Sequence, residues 1–203
     1  MRYQIILADP PWDYKGIAGN PNAGTTKHYD SMSDEKLMRL DIPAISADRS
    51  VLFLWTTFPM VERVFPIIRA WGFEYKTVAF VWVKTTKGGR GWRTSELGLG
   101  FDCGLGFVGQ VGWYTKSNVE ICLLSTKGEP LPRVDRVSQL IVHPRGRHSE
   151  KPPVLYDRIE SLFGDLSRIE LFARNTREGW AAFGNDVMES IRLRRWKNLL
   201  GNE

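Results

Sequence analysis

Continuous apolar runs alternate along the chain with stretches whose apolar positions recur at helical spacing. Residues 3–8 (YQIILA) form the first run. Asp9 and two prolines end it at once, which predicts a buried strand. Residues 50–55 (SVLFLW), 75–83 (YKTVAFVWV), 118–124 (NVEICLL) and 169–173 (IELFA) predict four more strands, and residues 180–183 a short sixth. Between them, Ser33 caps a helix through Leu37 and Leu40. Val61, Val64, Phe65, Ile68 and Trp71 share one helical face, and Gly72 ends that helix. Pro152 and Pro153 open another, carrying Val154, Leu155, Ile159 and Leu162. Residues 188–200 predict a basic C-terminal helix with Arg192, Arg194, Arg195, Trp196 and Lys197.

Apolar strands alternating with amphipathic helices imply an α/β fold, a mostly parallel sheet with helices on both faces. Three segments lack any apolar period and predict loops: residues 13–32, 84–113 and 127–150. The middle one holds nine glycines among its cations. The 203 residues, 42% hydrophobic, suffice for one well-buried domain. That domain is assigned to residues 1–187, with the basic helix at 188–203 beyond it.

Charge adds a partner class. The net charge of +5 favours a polyanion, without proving one. Cys103 and Cys122 form no CxxC pair, so reduced thiols and a cytoplasmic protein are expected. The three histidines make no ligand cluster with them, so no metal is expected. No run has membrane-spanning length, and the first is too short for a signal peptide.

The candidate chemistry sits where the first strand ends. Ligands of open parallel sheets bind at the carboxyl ends of strands. Pro10 and Pro11 fix φ and remove two backbone donors, leaving rigid carbonyls beside the Asp9 carboxylate. A planar amine carries two N–H groups, and Asp9 with the Pro10 carbonyl supplies two acceptors. Accepting both protons frees the nitrogen lone pair for attack. Trp12 offers a flat face for a base.

Asp9-Pro10-Pro11-Trp12 after an apolar strand resembles the [DNS]-P-P-[YFW] motif of amino-methyltransferases. Its aspartate and tryptophan are similar to those of the N6-adenine methyltransferases typified by the catalytic subunit of the eukaryotic mRNA N6-adenosine methyltransferase, a group with bacterial and phage members. H-Y-D-S-M-S at 28–33, V-L-F-L-W-T at 51–56, N-V-E-I-C-L-L at 118–124, H-S-E-K-P at 148–152, E-L-F-A-R at 170–174 and G-W-x-x-F-G-N-D at 179–186 resemble further family segments in order. The catalytic strand precedes the cofactor strand, and no G-x-G-x-x-G opens the chain. This resembles the circularly permuted, β-type arrangement of the Rossmann-like fold.

The resemblance implies S-adenosylmethionine as methyl donor. It implies that Lys151 pairs with the donor's carboxylate and that Asp9 also faces its ammonium. Glu170, Leu171 and Phe172 would cradle the donor, with Arg174, Thr176, Asn185 and Asp186 near its ribose or adenine. Asn175-Thr176 replaces a Pro-His pair of the mRNA enzyme, and Val119 stands where relatives carry histidine.

The implied activity is methylation of adenine N6 in nucleic acid, with DNA favoured over RNA. The alternatives are an RNA N6-adenosine methyltransferase, an N4-cytosine DNA methyltransferase, and a non-catalytic nucleic-acid-binding partner subunit. Lys15, Lys27, Lys84, Lys87, Arg90, Arg93, Arg133, Arg136, Arg145 and Arg147 lie in the polar loops and are the expected phosphate contacts. A homodimer or a second subunit is compatible with so short a chain.

Overall fold

In the computed structural model, the described residues are 2–14, 31–87, 106, 110–111, 114–146, 150–184 and 187. Lys15, Lys27, Arg90, Arg93, Arg147, Asn185, Asp186, Cys103 and the C-terminal helix expected at 188–203 lie outside them. The elements in order are β1 (Tyr3–Ala8), α1 (Asp34–Met38), α2 (Ile42–Ile45), β2 (Ser46–Thr56), α3 (Val61–Ala70), β3 (Glu74–Thr85), β4 (Gln110–Val111), β5 (Lys116–Ser117), β6 (Val119–Lys127), β7 (Leu140–Pro144), α4 (Val154–Phe163), β8 (Arg168–Leu171) and β9 (Ala181–Phe183).

Seven strands make one sheet in the order β7-β3-β6-β2-β1-β8-β9. Only β6 runs against the others, antiparallel to both β2 and β3. The expected mostly parallel sheet is therefore what forms. β1 lies between β2 and β8, with Ala8 opposite both Leu54 and Leu171. β8 follows β1 by most of the chain yet pairs directly with it, which is the permuted order.

Two apolar layers hold helices to the sheet. On one face Ile6, Leu52 and Leu54 pack with Leu37, Ile42, Val64, Ile67, Ile68 and Trp71 from α1 to α3 and the turn after α3. On the other, Ile5, Leu7, Phe53 and Ile141 pack with Leu155 and Ile159 of α4. The alternation of these two sets along β1 and β2 explains why both strands read as unbroken apolar runs. Ser33 caps α1 by accepting the Lys36 N–H. Gly72 takes φ +79 after α3, a conformation that costs glycine no Cβ clash. Arg63 ties α3 to α1 through a forked pair with Asp34 at 2.6 and 2.7 Å, and its Nη1 donates to the Asp13 carbonyl.

Two expected loops contain strands, the two-residue β4 within 84–113 and a strand of the main sheet within 127–150. Residues 127–150 read as a loop, but Leu140–Pro144 form edge strand β7 beside β3. Only Ile141 of its apolar residues is buried, while Leu140 and Val142 are exposed. A short edge strand with one core residue leaves no period to detect. β9 leans on a close backbone approach, since a Cβ at Gly184 would meet the Ala173 carbonyl at 2.2 Å. Gly184→Ala is expected to destabilise the chain by about 2 kcal/mol, measured by denaturant unfolding. Unchanged stability would show that the two segments separate freely.

Candidate active site

The winding of the sheet reverses at β1, which continues to β2 on one side while β8 lies on the other. The carboxyl ends of β1 and β8 therefore form a topological switch point, where ligands bind in open α/β sheets. Asp9 follows β1 there, and Phe172 follows β8 with φ 61, a left-handed conformation uncommon for an aromatic residue. Glu120 reaches the same end because β6 is antiparallel. Lys84 comes from the end of β3, and Lys151 from just before α4.

These four charges form a chain. Lys151 Nζ donates to Asp9 Oδ2 at 2.6 Å and lies 3.3 Å from Glu120 Oε2. Lys84 Nζ donates to Glu120 Oε1. Lys151 also sits over the Trp55 ring, 5.3 Å from its centroid. Two lysines balance two carboxylates, so the cluster is neutral although largely out of water.

Position along the chain decides each ionisation. Burial raises the Asp9 carboxyl above its ordinary value, and Glu120 adds to this while Lys151 opposes it. Burial pushes Glu120 up as well, but Lys151 and Lys84 together bring it below the ordinary range. Burial disfavours the Lys151 ammonium, yet Asp9 and Glu120 hold it firmly charged. Asp9 is thus the weaker-held carboxylate of the two, having one lysine where Glu120 has two.

The prolines are less vacant than the sequence suggests. The Trp12 N–H donates to the Pro10 carbonyl at 2.9 Å, and the Met32 N–H to that of Pro11 at 2.8 Å. Each carbonyl keeps a second lone pair. The Trp12 bond fixes the orientation of the Pro10 oxygen and uses one of its two lone pairs. Trp12 differs from expectation more sharply. It is buried, and its indole N–H donates to the Trp55 carbonyl at 3.2 Å. It serves as a fixed wall under the motif rather than an open face, because its bulk fits the apolar layer beneath β1.

The expected donor-binding residues divide. Leu171 is buried, while Glu170, Phe172 and Arg174 are half-buried at the switch point; Thr176 is exposed beyond it. Glu170 accepts a hydrogen bond from the Tyr156 hydroxyl at 3.0 Å. Burial lifts its carboxyl to about 7. A carboxyl raised in the fold contributes stability that is complete below its unfolded value of 4.5 and lost as pH rises through about 7. Glu170→Gln is therefore expected to flatten the stability profile in that window. Above pH 7 it should be the more stable protein by at most about 3 kcal/mol. Parallel profiles from urea unfolding would refute this.

Helix α4 offers less to an anion than its start implies. Pro152 and Pro153 have no N–H, and the N–H groups of Leu155 and Tyr156 bond to their carbonyls. Lys151 is left as the principal cation there.

Of the expected phosphate contacts, Lys87 and Arg145 are exposed at the site end, Arg145 bonding through its N–H to the Thr85 carbonyl. Arg133 and Arg136 are exposed but flank Val134, whose N–H bonds to Leu162 at the far end of α4. They project from the opposite end of the sheet, since the chain must return there to enter β7. Lys84 is a correction too. It is 9% exposed and paired with Glu120, so it cannot also reach a phosphate outside. Glu120 went unassigned in the sequence, although an acid inside an apolar run was a usable signal. Among the described residues, no three His, Cys, Asp or Glu side chains are grouped to hold a metal ion, and no helix is long and apolar enough to cross a membrane.

Fold and site together define the class, an α/β methyltransferase. The MT-A70 family matches residues 3–186, and the chain belongs to that family. It is 37% identical to the type II methyltransferase M.MunI of Mycoplasma sp. over 207 aligned residues, covering 93% of this chain and 79% of that protein. It is 29% identical to a probable N(6)-adenosine-methyltransferase MT-A70-like protein of Oryza sativa, covering 95% of this chain and 24% of that one. Identity is also 29% to the human N(6)-adenosine-methyltransferase catalytic subunit METTL3, over 92% of this chain and 28% of the subunit. The chain thus spans most of M.MunI and about a quarter of the adenosine methyltransferases.

Proposed function

We propose that the chain transfers a methyl group from S-adenosylmethionine to N6 of adenine in DNA. The observation that carries this reading is the Asp9 carboxylate at the end of β1, fixed by Lys151 and followed by two prolines. Lys151 occupies Oδ2, which leaves Oδ1 to accept one N–H of an exocyclic amine. The second lone pair of the oriented Pro10 carbonyl accepts the other. With both protons held, the amine presents its lone pair, and catalysis rests on positioning and electrostatics.

The residues fit the methyl donor. Its tail is a zwitterion without net charge, and the Lys151–Asp9 pair is its complement, cation for carboxylate and anion for ammonium. The donor would supply an electrophilic methyl on sulfur. Glu170, Phe172 and Arg174 are placed to hold its nucleoside, with Asn185 and Asp186 as further candidates. The target base has to leave its stack, at a few kcal/mol.

DNA is favoured because likeness is higher and closer to full length with the type II methyltransferase than with the adenosine methyltransferases. Lys87 and Arg145 stand at the rim where a phosphate backbone would pass, so affinity for oligonucleotides should fall steeply with salt. Methyl transfer to DNA and RNA oligonucleotides of one sequence tests the choice. Faster transfer to RNA would reverse it.

A further inference from the structure

We propose that Lys84 is a positioning residue for the methyl-transfer site, acting through Glu120 to keep Lys151 turned towards Asp9. This rests on the reading of Lys151 and Asp9 as the pair that receives the methyl donor's tail.

Lys84 has no surface role available. Its side chain is 11% exposed, it donates to Glu120 Oε1, and its Nζ lies 5.1 Å from the centroid of the Trp82 ring. Glu120 is 16% exposed and stands between two lysines. Lys151 is shared unequally, at 2.6 Å from Asp9 and 3.3 Å from Glu120. Two carboxylates in a poorly screened site compete for one ammonium. A second cation on Glu120 removes it from that competition, and Lys151 then bonds Asp9. Take Lys84 away, and Glu120 keeps only its longer contact to Lys151 among the described residues, so it draws Lys151 off Asp9. Both ions needed for a zwitterionic tail would then be displaced together. Lys84 touches neither Asp9 nor Lys151, so its influence has to pass through Glu120.

A double-mutant cycle tests this on the intact chain. The variants are Lys84→Met, Glu120→Gln and the two combined. S-adenosylmethionine binding is measured by calorimetry, with wild-type binding and transfer as the control. Lys84→Met should weaken binding about ten-fold, a coupling of ordinary size for groups in one network. Acidification should not restore it, because Asp9 is the weaker-held carboxylate and takes up a proton before Glu120 does. The combined variant should bind within about three-fold of wild type, since no competitor remains to be neutralised. It carries no unpaired charge, so it folds even where Glu120→Gln alone, which strands Lys84, does not. A combined variant as weak as Lys84→Met, or a Lys84→Met that binds like wild type at every pH, would overturn the proposal. If wild type binds the methyl donor and the cycle is additive, this inference alone fails. If wild type binds none, the functional reading fails with it.

Discussion

Asp9→Ala is expected to lower methyl transfer by about 10³-fold while the chain still folds. In the proposed mechanism the carboxylate is the acceptor that holds the amine, and among the described residues no neighbour replaces it. Glu120 is nearest in the charge chain, but both its oxygens face lysines. Folding should survive because burial already raises the Asp9 carboxyl, so its ionised form is held at a cost. Lys151 keeps Glu120 as a partner when Asp9 is gone. Asp9→Asn should fare no better, since its amide brings donors where the target amine also donates. The raised ionisation predicts that wild-type transfer declines, on acidification, at a higher pH than an ordinary carboxylate would give. Rates from labelled donor, with circular dichroism as the folding control, decide this. An Asp9→Ala variant with wild-type rate would remove the mechanism.

Lys151→Met should damage both fold and function. It leaves Asp9 and Glu120 as neighbouring buried carboxylates, with Lys84 still paired to Glu120 and Asp9 without its lysine. Breaking a buried pair on one side costs about 3 kcal/mol, because the remaining charge is uncompensated. The sign with pH follows. Both carboxyls are then pushed up, so the lost stability returns as pH falls and they take up protons. Urea unfolding at pH 7.5 and at pH 5.5 measures this. The variant should approach wild type at the lower pH and lose donor binding at the higher. A deficit independent of pH would mean that Lys151 acts by packing alone.

The hydrophobic pattern was enough for the sheet and its helices, because central strands buried on both faces give long apolar runs. It missed β7, where an edge position buries only Ile141. The site was legible in part. Asp9-Pro10-Pro11-Trp12 is contiguous, so its carboxylate and proline carbonyls can be read from the sequence alone. The charge chain does not exist in sequence. Lys84, Glu120 and Lys151 meet only because β6 runs antiparallel and brings its first residues to the carboxyl ends of β1 and β3. The same geometry withdraws Lys84 from the phosphate contacts and puts Arg133 and Arg136 at the wrong end of the sheet for the site. The burial of Trp12 was not legible, because a tryptophan's exposure depends on what packs over it, which is non-local.

The most direct test of the central claim is the product itself. The chain is incubated with labelled S-adenosylmethionine and DNA or RNA oligonucleotides, and the nucleosides are then separated. The account predicts label in N6-methyladenine, more from DNA than from RNA, and none with Asp9→Ala. Label in N4-methylcytosine, or label in N6-methyladenine that persists in Asp9→Ala, would contradict it.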